Sequence, residues 1–273
     1  MTALLGRTAV RELAARHGIR PSRSLGQHFL IDPNLARAIA ADAGVGPVDR
    51  VVEVGAGLGS LTVALAATGA GVVAIEFDRA VLPALREVTA GLEAVEVVAA
   101  DVTTIDWPAT LGEDAWTLAA NLPYNIATPL VQRLLEGVPQ IVRMVVMVQR
   151  EVGDRLVARP GDPGYGPLAL RVEHHAIARL VRTVPPEVFW PRPAVASVVA
   201  RIDRRERPAV VMDEIRLWRV VDAMFAARRK SARAALATIA DDPDAVLAAA
   251  NVDPGARAQQ LSLAEFARIA EVA

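Results

Sequence analysis

The chain has 273 residues, 53% of them hydrophobic, which is room for one large domain, or one plus a smaller companion, with a real core. Its 30 basic side chains are matched by 31 acidic ones, which excludes a uniformly basic nucleic-acid binder, and the absence of cysteine excludes disulfides and thiolate metal sites. Zero cysteines also fit a reducing compartment, so a cytoplasmic protein is expected, and no apolar run approaches the ~18 residues of a membrane-spanning helix.

In chain order, the first 24 residues carry Arg7, Arg11, Arg16, Arg20 and Arg23 against Glu12 alone. That bias superficially resembles a transit peptide, but its Ala/Leu spacing fits an ordinary helix. Continuous Val/Ile/Ala/Leu runs then predict strands over 50–55, 71–77, 94–100, 117–120 and 143–148. Runs without polar alternation indicate strands covered on both faces, hence a parallel α/β sheet. Helices are predicted between them, at 61–67 and 81–89. Residues 159–167 read as a Pro/Gly loop. Two further strand-like runs, 176–184 and 196–202, flank a Pro-rich stretch at 185–193 and are expected to add an antiparallel hairpin at the sheet edge. Beyond Asp203 the pattern turns helical, at 213–227, 231–239, 243–250 and 262–272. A boundary is expected near 203–209, dividing an α/β domain over 1–205 from a helical domain over 206–273.

The segment from Val51 to Thr62 reads as a strand, a glycine loop and a helix start. Its glycines, Gly55, Gly57 and Gly59, allow a tight turn and close ligand approach at a helix N-terminus. Glu76 ends the second predicted strand, where a carboxylate can grip a ribose diol. To this point NAD and S-adenosylmethionine fit equally. The Gly-x-Gly-x-Gly spacing favours the latter, because it is not the pyrophosphate-cradling Gly-x-Gly-x-x-Gly. Asp101 favours it too, since it ends the third strand where a carboxylate can accept from an adenine amino group. Glu53 is expected to add negative charge near a cofactor that carries a sulfonium and an ammonium. Asn121-Leu122-Pro123-Tyr124 follows the fourth strand. Its Asn can accept in the plane of a heterocycle, its Pro keeps the backbone extended, and its Tyr offers a stacking face. These four are the candidate catalytic residues, suited to an exocyclic amine on a nucleobase.

Taken together, Gly26-Gln27-His28-Phe29-Leu30, the 53–59 loop, Glu76, Asp101 and Asn121-Leu122-Pro123-Tyr124-Asn125-Ile126 resemble the rRNA adenine N6,N6-dimethyltransferases. Two further stretches resemble the small-subunit (KsgA/RsmA) branch of that family, Val148 to Val152 with Tyr165-Gly166 and Phe225 with Arg228-Arg229-Lys230, and Phe189-Trp190-Pro191-Arg192-Pro193 resembles the family's aromatic-Pro-x-Pro stretch. The likeness covers about residues 20–270. It implies a Rossmann-like S-adenosylmethionine-dependent methyltransferase sheet with a small C-terminal α-helical domain. It places His28, Leu30, Gly55, Glu76, Asp101 and Asn121 against the cofactor, and Asn121, Leu122 and Tyr124 against the target adenine. Phe189 or Trp190 is placed to close the other face of the base, with core packing the favoured reading of Phe189. Arg228, Arg229 and Lys230 would meet RNA. The implied reaction is dimethylation of N6 on two adjacent adenines in a hairpin loop near the 3′ end of 16S rRNA. The implied partner is the small (30S) subunit or its precursor, and the implied enzyme a monomer acting in subunit biogenesis. One departure is His28, where the family usually has Asn. An imidazole can still donate or accept near the cofactor's carboxylate.

His174 and His175 are adjacent on a predicted helix without metal-ligand spacing, so a surface position and no metal site are expected. Three other functions remain open: a large-subunit rRNA adenine methylase, an assembly or transcription factor with dispensable catalysis, and an NAD-dependent oxidoreductase. The 121–129 wording and the C-terminal helices weigh against the first. The intact Glu76, Asp101 and Asn121 weigh against the second. The glycine spacing weighs against the third.

Overall fold

Four strands rich in Val, Ile and Ala, over 50–54, 71–76, 116–121 and 141–149, are buried along most of their length, as a parallel sheet covered on both faces requires, while a fifth at the sheet edge, 95–99, is only partly covered. The computed structural model describes residues 3–22, 25–124 and 126–273. Arg23 and Asn125, named above, lie outside the described residues. The chain opens with α1 (Arg7–Arg16), the short β1 (Phe29–Leu30) and α2 (Pro33–Ala43). There follow β2 (Arg50–Val54), α3 (Ser60–Ala66), β3 (Gly71–Glu76), α4 (Leu82–Thr89), β4 (Val95–Ala99) and α5 (Trp107–Leu111). Next come β5 (Trp116–Asn121), α6 (Ala127–Gly137), β6 (Ile141–Gln149), α7 (Arg150–Val157), α8 (Pro167–His175) and β7 (Ala176–Val184). The chain ends with β8 (Phe189–Trp190), β9 (Ser197–Arg204), α9 (Glu214–Ala226), α10 (Ala232–Leu236), α11 (Pro243–Ala250) and α12 (Leu263–Val272).

The seven-stranded sheet runs β4-β3-β2-β5-β6-β9-β7. The β2 strand pairs in parallel with both β3 and β5. The β3–β4 and β5–β6 pairs are parallel too, whereas β9 lies antiparallel against β6. The expected hairpin is therefore present with its second strand inside: β9 sits between β6 and β7. A feature absent from the sequence reading is the two-residue pairing of β1 with β8, with Phe29 opposite Trp190 and Leu30 opposite Phe189. Arg204, at the end of β9, donates to the carbonyls of Leu134, Leu135, Val138 and Ile141. A guanidinium there adds charge-assisted bonds to carbonyls at the C-terminal end of α6 and the start of β6, and ties that helix to the sheet.

The chain divides into two compact units, residues 1–153 with 178–204, and 154–177 with 205–273. A cut at 205/206 alone does not describe this: segment 154–177, expected within the α/β part, packs with the C-terminal helices. Tyr165, Ala169 and Leu170 join Leu217, Met224, Leu236 and Phe266 in one apolar core. The Tyr165 hydroxyl donates to the Leu261 carbonyl at 2.8 Å. Caps mark the helix starts in this unit. Asp213 accepts from Ile215 N, and Ser262 and Glu265 form a reciprocal capping box on α12. Among the described residues no helix is long and apolar enough to cross a membrane.

Candidate active site

Strand order reverses between β2 and β5. Chain connections from β2 proceed outward through β3 to β4, then return to β5 on the other side. Open α/β sheets bind ligands at the carboxyl ends of the strands flanking such a point. A cavity of about 240 Å³ lies there. His28, Leu30, Gly55, Glu76, Asp101, Asn121, Leu122, Pro123 and Tyr124 all line it, so nine of the expected site residues are brought together.

Two glycines make the loop after β2 possible. Gly55 has φ +71°, and a Cβ there would stand 3.4 Å from Pro123 Cδ. Gly57 has φ +56°, and its Cβ would meet the Phe29 ring at 3.1 Å. Both positions favour glycine by backbone conformation, and both let a second segment approach closely. Gly57 N–H donates to Glu76 Oε2 and Asp78 N–H to Glu76 Oε1, each at 2.8 Å. The carboxylate lines the cavity, where its remaining acceptor capacity suits a hydroxyl-bearing ligand such as a ribose. Burial pushes the Glu76 carboxyl up, while the backbone bonds from Asp78 and Gly57 pull it down; the net direction is up. Asp101 is held below its ordinary value by Thr103, whose hydroxyl and N–H both donate to Oδ1. Its Oδ2 has no such partner among the described residues.

Glu53 behaves otherwise than expected. It is 2% exposed and accepts from Thr62 Oγ1 at 2.5 Å. Burial pushes its carboxyl up to about 8, against the Thr62 bond and with help from the charge of Glu76. Glu53 is therefore mainly neutral at pH 7. The negative charge expected of it is not available, and Glu76, Asp78 and Asp101 are the other acids that line the cavity.

The Asn121 amide is fixed by its donor half: Nδ2 donates to the His28 carbonyl at 2.9 Å. That leaves Oδ1 as the atom able to accept from an amine. Pro123's carbonyl takes the Ile126 N–H at 3.1 Å, and Leu122 N–H is used by Met147's carbonyl at 3.1 Å. Of the Leu122 and Pro123 carbonyls, either of which could serve as a second acceptor, Leu122's is the one without such a partner among the described residues. The Tyr124 hydroxyl pairs with Ser197 Oγ at 3.1 Å, which anchors the ring from β9. His28 bonds the Pro191 carbonyl through Nδ1 at 2.7 Å, so that nitrogen carries the proton. Its ring lies 5.5 Å from that of Tyr124, tilted by 30°. The imidazole thus belongs to the aromatic wall of the cavity.

The placing of Phe189 against the substrate base is corrected, and its core reading holds. It is 2% exposed and packs with Leu30, Ile39, Leu61 and Val199, so it is a core residue and not a face for a base. A strand register places it there: opposite Leu30, one residue before Trp190, which stays half-buried against Phe29. Arg228, Arg229 and Lys230 lie in the turn between α9 and α10 of the other unit, with no ion pair among the described residues. Several neighbours in the basic stretch are committed elsewhere. Arg201 bonds Asp203, Arg204 caps α6, Arg205 holds the Glu173 and Ala176 carbonyls, and Arg233 pairs with Asp244. Sequence reasoning missed Gln27, which donates to Asp78 at 2.7 Å on the cavity wall, and Ser197. Gln27 stands inside a recognised motif and could have been named. Ser197 carries no signal beyond strand alternation.

Comparison with known proteins places this geometry. The family described as "Ribosomal RNA adenine dimethylase" matches residues 19–273. The chain is 42% identical to "Ribosomal RNA small subunit methyltransferase A" of Acidothermus cellulolyticus over 98% of its own length and 94% of that protein's. It is 43% identical to the protein of the same description from Cutibacterium acnes, over 99% and 94%. Among solved structures it is similar to the 23S rRNA methyltransferase ErmE, with a TM-score of 0.71, 28% identity and coverage of 89% and 98%. A dimethyladenosine transferase from Plasmodium falciparum shares the fold at a TM-score of 0.77 and 23% identity, over 89% and 96% of the two chains.

Proposed function

The chain belongs to the ribosomal RNA adenine dimethylase family, and from that premise we infer that it dimethylates N6 of two adjacent adenines of 16S rRNA, using S-adenosylmethionine, during small-subunit biogenesis. The choice of small-subunit RNA is supported by the 42% and 43% identities to small-subunit methyltransferases, against 28% to the 23S enzyme. Its substrate would be the 30S particle or its precursor, met by a cytoplasmic monomer.

S-adenosylmethionine, when bound, supplies a methyl group on a sulfonium, which needs little acid–base help to leave. The protein's task is to make the amine nucleophilic. The lone pair of adenine N6 is delocalised into the ring. Accepting its two N–H bonds at Asn121 Oδ1 and the Leu122 carbonyl favours a pyramidal nitrogen and stabilises the charge that develops on it. Tyr124 offers a flat face to the base, held in place by Ser197. Glu76 suits the ribose of the cofactor, and Asp101 Oδ2 its adenine amine. The observation that carries this reading is the bond from Asn121 Nδ2 to the His28 carbonyl, since it fixes which end of the amide can accept.

The test is incubation of the purified protein with labelled methyl donor and immature small subunits, followed by mapping of the modified nucleotides. Two neighbouring dimethyladenines in 16S rRNA are expected. Label confined to 23S rRNA, or to no adenine, overturns the reading. Asn121→Ala should fold normally and lose about 10²–10³-fold in single-turnover rate, the loss typical of one preorganised polar contact.

A further inference from the structure

Outside the cavity, three potential ligands converge in the C-terminal unit. His174 and His175 end α8, and Glu214 opens α9 directly after its cap, Asp213. The histidines were expected on the surface; they are 0% and 7% exposed. Neighbouring side chains on a regular helix diverge by ~100°. Here the rings stand 4.6 Å apart, because His175 is the last helical residue and the backbone turns extended at Ala176. His174 Nε2 lies 3.2 Å from Glu214 Oε1, and His175 Nε2 lies 3.7 Å from Oε2. The donor atoms of the three side chains all fall within 4.8 Å of one another.

The first distance is a hydrogen bond, but the second is beyond one. Both suit edges of a coordination polyhedron: ligands at ~2.0–2.1 Å from a tetrahedral zinc stand roughly 3.3–3.5 Å apart. The His174 ring is also held in place. It meets Trp218 edge-to-face at 5.3 Å, and the Arg171 guanidinium lies over Trp218 at 4.6 Å while bonding Asp222.

We propose that His174, His175 and Glu214 bind one first-row transition-metal dication of the zinc type. Two imidazoles and a carboxylate select such an ion over magnesium or calcium, which prefer oxygen alone. The Glu214 side chain is 40% exposed, so water reaches the fourth position. The ion would join segment 154–177 to residues 205–273 within this unit, and so stabilise it by mass action.

The experiment uses the full chain, stripped with chelator and titrated with zinc by calorimetry, with a thermal melt at each metal loading. Cobalt serves as a second probe, since its visible absorption reports nitrogen/oxygen tetrahedral ligation. His17, which pairs with Glu87 at 2.6 Å, is replaced by Ala in every sample to remove a competing surface site. One equivalent of zinc is expected, with a raised melting temperature and a tetrahedral cobalt spectrum. Glu214→Ala, at a partly exposed position, and His175→Gln should each weaken binding about 100-fold or more, since even outer-shell changes cost 10–100-fold. The proposal is overturned if the parent protein takes up no stoichiometric metal, or if Glu214→Ala binds as tightly as the parent.

Discussion

Glu53 sits under the glycine loop as a carboxyl that keeps its proton. Burial raises it to about 8, while an unfolded chain would ionise it near the ordinary value of 4.5. Between those values the folded state holds a proton that the unfolded state has lost. The stabilisation from this group is therefore complete below about pH 4.5 and is lost as pH rises through 8. The slope is up to about 1.4 kcal/mol per pH unit in that window. Glu53→Gln keeps a neutral acceptor for the Thr62 hydroxyl without a titrating proton. The variant should match the parent at pH 5 and exceed it by roughly 2–4 kcal/mol at pH 8.5. Denaturant unfolding at both pH values measures this, and parallel pH profiles for the two proteins would show that Glu53 is ionised in the fold. Glu76 is shifted in the same direction, so a shallower decline should persist in the variant.

At the scale of elements, α7 packs over the sheet at Gly153. A Cβ on that residue would come within 2.2 Å of Val198 Cγ2 on β9 and 3.3 Å of Leu180 Cδ2 on β7. Gly153→Ala should therefore cost about 1–3 kcal/mol through overpacking, despite alanine's better helix propensity. A thermal melt that shows unchanged or increased stability would mean that the helix shifts freely. The strands of this sheet were legible because each is a continuous apolar run between turn signals. Four expected strands lie within one residue of their observed ends, and β6 begins two residues earlier than expected. The β1–β8 pair was not legible, because two residues carry no periodicity. Segment 154–177 was misassigned because the apolar faces of Tyr165, Ala169 and Leu170 would serve either core equally; only tertiary packing chooses. The cavity residues were read from their places at successive strand ends, a rule of topology. The burial of His174, His175 and Phe189 depends on packing partners far away in sequence, and composition says nothing of those.

For the whole molecule, the acidic cavity cannot itself attract a polyanion, so affinity for rRNA must come from elsewhere. Arg228, Arg229 and Lys230 are three adjacent cations in one turn, whereas Arg201, Arg204, Arg205 and Arg233 already serve the fold. Replacing residues 228–230 together by Ala should weaken binding to small-subunit particles. Removing each cation that pairs with a phosphate should flatten the log–log salt dependence by roughly 0.7–0.9, with S-adenosylmethionine affinity unchanged. Equal binding across a salt titration would assign the turn to solvent. The order of strands carries a different implication, for a chain emerging from the ribosome. The strand that covers β6, β9, is made after the 154–177 segment, and that segment waits in turn for residues 205–273. Until residue 204 has left the exit tunnel, the nascent sheet ends in nine residues of Ile-Val-Arg-Met-Val-Val-Met-Val-Gln with an unpaired edge. Such an edge is a template for pairing with other chains. The interval between synthesis of β6 and β9 is therefore the one in which this apolar edge is open to such pairing.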